Sequence, residues 1–414
     1  MKYASFGAVA VLMASVASMA AAEDVEVLHW WTSGGEAAAI GVLKDTLAKE
    51  GIGWKDAPVA GGGGSAALTA LKARVSSGNP PTAAQISLKG LQEWAAEGLL
   101  GDLTPLAEKE NWAAVLPDEI KAAAMYEGKW VGVPFNIHRA NWMWMNAKVF
   151  ADNGLTPPAT WDEFFAAGDK LKEKGIIPLA LGGEPWQETI VFEDLIVAIG
   201  GPEFYKQTMM DLNPEALGGE QMVKVFDNMR KLKGYVDPNT PGRVWNDATA
   251  MVLNGQAAMQ LMGDWAKGEI VNAKQVPGTD ILCAPAPGNK GTYLFHGDFF
   301  EFFAAKGDAK AAQDALASAI MNPSFQETFN LVKGSIPARM DVPGDKFDAC
   351  AKEAMTDIKA AIAAGSLLPD VDGGAAQPSA IQGAIQDVVT QHFNSDQSSQ
   401  DAAAALVRAV QAAQ

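Results

Sequence analysis

The sequence predicts an α/β fold divided between two domains. Strand-like and helix-like segments alternate from Val25 onward, which implies a largely parallel sheet covered by helices on both faces. The chain has 414 residues, 48% of them apolar, which is more than one hydrophobic core accommodates. No long Pro- or Ser-rich linker and no internal repeat divides it, so the chain is expected to cross between the domains more than once.

Val25 to Trp31 alternates as a strand does, and Ser33 to Gly35 turns into a helix with Ile40, Leu43 and Leu47 on one stripe. A glycine run, Gly61 to Gly64, then opens at Ser65 a helix whose buried face is Leu68, Leu71 and Val75. Gly78-Asn79-Pro80-Pro81 stops it. Ala83 to Ile86 reads as a short strand and is followed by a helix through Leu91, Trp94 and Ala95. Thr160-Trp161-Asp162-Glu163 has the form of a capping box ahead of an amphipathic helix through Phe164, Phe165 and Leu171. Lys170, Lys172 and Lys174 near its end suit the helix dipole, which explains them without a ligand. The Ala-rich stretch from Ala402 to Ala413 reads as a final docking helix.

Ahead of the first strand, Lys2 precedes an uncharged run that ends in Ala20-Ala21-Ala22 before Glu23-Asp24. This is the pattern of a cleavable secretory leader over residues 1–22, with an uncleaved anchor as the alternative. Its apolar part is shorter than a spanning helix needs, and no Cys stands near the cleavage point for a lipid. The net charge is −17, and removing Lys2 makes it more negative. Nucleic-acid binders carry basic stripes and peripheral membrane binders polybasic faces, so neither class fits. Export would place Cys283 and Cys350 in an oxidising compartment, where a single disulfide is expected and two buried thiols are the alternative.

The four histidines, His29, His138, His296 and His392, lack metal-site spacing, and there is no nucleophile elbow. Gly61 to Ser65 lacks the lysine of a phosphate loop. No cofactor or metal is implied. Any chosen pair among 49 acidic residues says little about a glycosidase. Tryptophan is informative: there are 12, and Trp30-Trp31 closes the first strand at its carboxyl end, where open α/β sheets bind ligands. A pyranose ring presents C–H patches that suit an indole face, while its hydroxyls need fixed polar partners.

Several segments carry a resemblance to a known family. They are Gly128-Lys129-Trp130-Val131-Gly132-Val133-Pro134, then Trp144 to Phe150, then Pro157 to Phe164, then Gly255-Gln256-Ala257-Ala258-Met259. In order and spacing they resemble the extracellular solute-binding proteins of ABC sugar importers, over essentially the whole mature chain. Trp30 to Glu36, Tyr293 to Asp298 and Lys333 to Arg339 are most similar to the glucose/mannose-binding branch. The resemblance implies a two-lobed periplasmic-binding-protein fold with a hinge and an interlobe ligand cleft. It places residues 23–135 plus about 299–345 in one lobe and 136–298 plus about 346–414 in the other. It also implies a monomer in the periplasm that delivers a glucose-like hexose to an ABC permease and its ATPase subunits.

Carried over position by position, Trp30 and Trp31 would form the cleft wall and Glu36 would accept from hydroxyls. Gln85, Ser87 and Lys89 would line the same lobe, and Asn136 would stand at the crossover. From the second lobe Trp265 would stack on the ring, Trp245 would flank it, Asp298 would take a pair of hydroxyls and Lys333 the opposite rim. One departure stands out. Where the branch has a histidine near the C-terminus this chain reads Asp370-Val371-Asp372-Gly373, so the lost imidazole is expected to open room for a disaccharide or glycoside. A binding protein rather than an enzyme is the expectation, with an exported glycoside hydrolase as the alternative of another class.

Overall fold

The computed structural model describes residues 24–414; the expected leader lies outside them. Val25–His29 runs parallel to Trp54–Pro58 on one side and to Ala83–Ile86 on the other. Two further strands, Phe299–Phe302 and Gly132–Pro134, complete this sheet, both pairs antiparallel. The sheet is therefore mixed, whereas alternation of strand and helix suggested a largely parallel one. Phe299–Phe302 returns through a short crossover, and that route sets its direction without a local sequence signal.

A second sheet orders Ile281–Pro285, Trp142–Asn146, Ala257–Leu261 and Ile177–Leu179, antiparallel except for the last pair. Between the two lies a small sheet of Ile336–Pro337, Asn136–Arg139, Tyr293–His296 and Leu367–Pro369. The chain leaves the first sheet at Pro134 and enters the connecting one at Asn136; it returns through Gly297 and Asp298 to Phe299. Phe135 N donates to Asp298 O at 2.9 Å across this double crossing. A Cβ at Gly297 would lie 2.9 Å from Asn136 O, so the strands approach this closely only with glycine there.

Each of the two larger sheets has its own core. In the first, Trp31, Phe135, Phe300 and Phe329 interlock, with Phe135 and Phe300 centroids 4.5 Å apart. Such aromatic groups bury large apolar areas at little rotamer cost. In the second lobe the helix Pro185–Tyr205 is buried continuously from Trp186 to Val197, and Gly201 (φ 72°) followed by Pro202 breaks it. The helices Glu220–Leu232 and Ser379–Asn394 pack on it, and Ser399–Ala413 packs on those two. Helix Ala349–Ala364 backs the connecting sheet, and a Cys283–Cys350 disulfide ties it to the second sheet. Among the described residues no helix is long and apolar enough to cross a membrane.

The helix caps follow the sequence closely. Ser33 and Glu36 form a reciprocal capping box for Gly34–Lys49. Thr160 accepts from Glu163 N to start Trp161–Glu173.

Candidate functional site

A cavity of about 630 Å³ opens between the lobes at the connecting sheet. On the first-lobe side, strand Val25–His29 delivers Trp30 and Trp31 to its rim. They divide the work as opposite-facing neighbours do. Trp31 is only 2% exposed and belongs mainly to the aromatic core, with one edge on the cavity. Trp30 lies flat under the glycine run: a Cβ at Gly64 (φ 102°) would come within 3.0 Å of its ring. The run's lack of side chains admits indoles from both lobes, since a Cβ at Gly63 would lie 3.2 Å from Trp186 of the other lobe.

From the second lobe Trp265 projects into the cavity, just before helix Ala266–Asn272. Gly263 makes this possible, because a Cβ there would be 2.0 Å from the indole. The ring stands edge-on to His138 at 5.4 Å, with His296 at 5.2 Å and Trp186 at 6.3 Å. Trp245, half-buried at the start of Trp245–Leu253, also lines the wall.

A polar knot sits at the floor. Asp298 accepts from Gln85 Nε2 at 2.9 Å, from Asn136 Nδ2 at 2.8 Å and from His138 Nε2 at 2.9 Å, with Lys333 Nζ at 3.8 Å. His138 Nδ1 in turn bonds Asp264, whose other oxygen accepts from Arg139 N at 3.0 Å. Burial alone would raise the Asp298 pKa, but Lys333 and His138 outweigh it and hold the carboxyl well below the usual range. For His138, burial and Lys333 push down, and the Asp264 and Asp298 carboxylates outweigh them, favouring the imidazolium. Two carboxylates thus face two cations, so the floor is dense in donors and acceptors yet carries no net charge.

The sequence-derived residues fall into three groups. Trp30, Trp31, Glu36, Ser87, Trp245, Trp265, Asp298 and Lys333 line the cavity. Gln85 and Asn136, both fully buried, stand behind it and hold Asp298. Lys89 offers only its backbone N–H, which bonds Gly374 O at 3.0 Å across the cleft. The expected roles shift accordingly. Three protein donors already occupy Asp298, leaving it limited capacity for a pair of hydroxyls. Glu36 accepts from Thr32 N and Ser33 N at its own helix start, and burial raises its pKa. Lys333 is 3% exposed, not a solvated surface lysine.

His138, Trp186 and His296 also line the cavity and escaped sequence reasoning, while Asp372, beside the departure at Gly373, lines it as well. His138 carries no local motif and His296 lies in the Tyr293 to Asp298 segment without an assigned role; only the fold brings the two rings together. Nor does Gly373 open room. A Cβ there would lie 2.3 Å from the His296 ring, so that imidazole fills the space beside the glycine. Asp372 is buried with Oδ1 unpartnered. The lobes also touch directly: Gly35 N donates to Glu269 Oε1 at 2.7 Å, and Ser379, itself on the cavity wall, bonds Glu93. Among the described residues no cluster of His, Cys, Asp or Glu suits a metal ion.

Indole faces around fixed hydrogen-bonding groups are chemistry that suits a neutral, polyhydroxylated molecule. Comparison with known proteins agrees. The family model described as bacterial extracellular solute-binding protein matches residues 31–320. A probable sugar-binding periplasmic protein of Rhizobium meliloti (strain 1021) is 48% identical over 412 residues, covering 100% of this chain and 99% of its own. Among solved structures, a chitin oligosaccharide binding protein superposes with a TM-score of 0.79 at 22% identity, over 94% of this chain and 99% of its own. The solute receptor AcbH, which has an exclusive preference for β-D-galactopyranose, gives 0.78 at 19% identity, over 94% and 97%. These two matches bear on the fold alone, and the fold is the expected two-lobed one.

Proposed function

The chain belongs to the bacterial extracellular solute-binding proteins, and on that premise we propose that it is a periplasmic receptor delivering a sugar to an ABC importer. The family is one of binding proteins, not enzymes. The full-length relative in Rhizobium meliloti, described as sugar-binding and periplasmic, supports the same role here. The carrying observation is the charge-balanced floor of Asp264, His138, Asp298 and Lys333 beneath the Trp265 indole. A charged ligand would need an excess of one sign, whereas a neutral sugar needs donors and acceptors beside an apolar face.

The first reading of the ligand is a glucose-like hexose. Binding at about 1 μM is worth about 8 kcal/mol, or roughly 0.7 kcal/mol per non-hydrogen atom, within the limit for small ligands. The cavity favours a second reading. Its volume of about 630 Å³ equals the liquid volume of roughly 20 waters, which leaves space beside one hexose for a second ring or an aglycone. In this proposal the protein acts as a monomer and docks on a permease with ATPase subunits. Its lobes comprise residues 23–135 with about 299–345, and 136–298 with about 346–414. They rotate about the crossovers near Asn136 and Asp298.

Calorimetric titration of the mature protein against glucose, mannose, galactose, disaccharides and alkyl glycosides tests this. Saturable one-site binding of at least one sugar is expected, with no turnover of aryl glycosides. Silence across the whole panel, or hydrolysis, would overturn it.

A further inference from the structure

His296 sits on the connecting strand Tyr293–His296, with its ring at the cavity surface. Its Nδ1 bonds the fully buried Asp370 carboxylate, and Asp370 also accepts from Gly373 N at 3.2 Å. A carboxylate accepts only, so Nδ1 carries the hydrogen and Nε2 of the neutral ring is left as an acceptor. No protein group bonds Nε2 among the described residues. On the far side the ring is held by His138 at 5.0 Å and Trp265 at 5.2 Å, and beneath it by Gly373. Gly373 lies outside the left-handed region, so alanine is compatible with its backbone; the obstacle is the imidazole, 2.3 Å from where a Cβ would be.

The geometry points to His296 as a specificity-determining residue that accepts a hydrogen bond from a ligand hydroxyl, locked in place by Asp370 and by the absence of a side chain at Gly373. The assignment rests on the reading of this cavity as a sugar site. It extends that reading to a hydroxyl group presented on the Trp265 side of the ligand, where a deoxygenated sugar would find the acceptor unmatched.

A double-mutant cycle on the intact mature protein tests it, using the best sugar of the wild-type titration. His296→Ala is expected to weaken binding roughly three- to tenfold while leaving the unliganded melting temperature within a few degrees. Gly373→Ala is expected to weaken binding similarly by displacing the ring, and the double variant to bind no worse than His296→Ala alone. Unchanged affinity in His296→Ala, or two losses that multiply, would overturn the assignment. If His296→Ala does not fold, His296→Asn takes its place in the cycle, keeping a polar group too short to reach the ligand. A wild type that binds no sugar would defeat the receptor reading instead, so the two failures are distinguishable.

Discussion

Glu93 of the first lobe caps a helix of the second: its carboxylate accepts from Ser379 N at 3.0 Å and from Ser379 Oγ at 2.9 Å. Helix Ser379–Asn394 follows Pro378 and has no side-chain cap of its own, so the cap is supplied across the cleft. The helix bearing Glu93 packs in one core and the capped helix in the other. The contact therefore exists only while the lobes are together.

Glu93→Ala should consequently act on closure rather than on folding. The loss of two exposed hydrogen bonds, roughly 0.5 to 1.5 kcal/mol, corresponds to a roughly two- to tenfold weaker sugar affinity. The melting temperature of unliganded protein should stay put. Titration and melting of the variant check both; a lower melting temperature with unchanged affinity would assign Glu93 to the fold.

Trp265 calls for a gentler substitution than alanine. The ring is 6% exposed and packs on Gly263 and beside Trp186, so Trp265→Ala removes core as well as platform. Trp265→Phe keeps an aromatic face of smaller area and should lose about 1 to 2 kcal/mol of sugar binding, with a small effect on melting. Equal affinity for wild type and variant would remove the indole from the site.

The Glu193 carboxyl should make stability fall as pH rises from about 5 to 8. Burial and the neighbouring Asp370 carboxylate raise the Glu193 pKa from 4.5 to about 8, against the pull of Tyr205 and the Val371 and Asp372 N–H groups. The native state then keeps a proton that the unfolded chain releases, so the stabilisation is complete below 4.5 and is lost as pH rises through about 8. His138, also raised, acts in the same direction above its ordinary 6.5. His29 and His392, lowered by burial, act oppositely as pH rises towards 6.5, and Asp298 acts oppositely in acid. Melting curves across this range should be steeper in pH for wild type than for Glu193→Gln, and identical slopes would refute the assignment.

Much of this was legible in the sequence, for identifiable reasons. Trp30 declares itself by closing the first strand at its carboxyl end, and Trp265 through the family resemblance. Ser33 and Thr160 mark helix starts by local chemistry alone. The mixed direction of the first sheet was not legible, since it depends on where Phe299–Phe302 re-enters. Nor was the knot around Asp298, whose partners Gln85, Asn136, His138 and Lys333 come from segments far apart in the chain. The exchange of room between Gly373 and His296 needed coordinates, because the lost side chain and its substitute lie on different strands and loops.

The Cys283–Cys350 disulfide spans 67 residues. Neither cysteine lines the cavity. Replacing both by serine should lower unfolding free energy by about 4 kcal/mol, read from urea melts, while sugar affinity is retained. Lost affinity in a folded double variant would show that the bridge sets the lobe geometry as well.

The central claim is that a sugar is enclosed between the lobes, stacked on Trp265 above the Asp298 knot. A crystal structure of the mature protein with its best-binding sugar tests it most directly. We predict ring density against the Trp265 indole, with hydroxyls within hydrogen-bonding distance of Lys333 and His296. A sugar bound elsewhere on the surface, with this cavity unoccupied, would contradict the account.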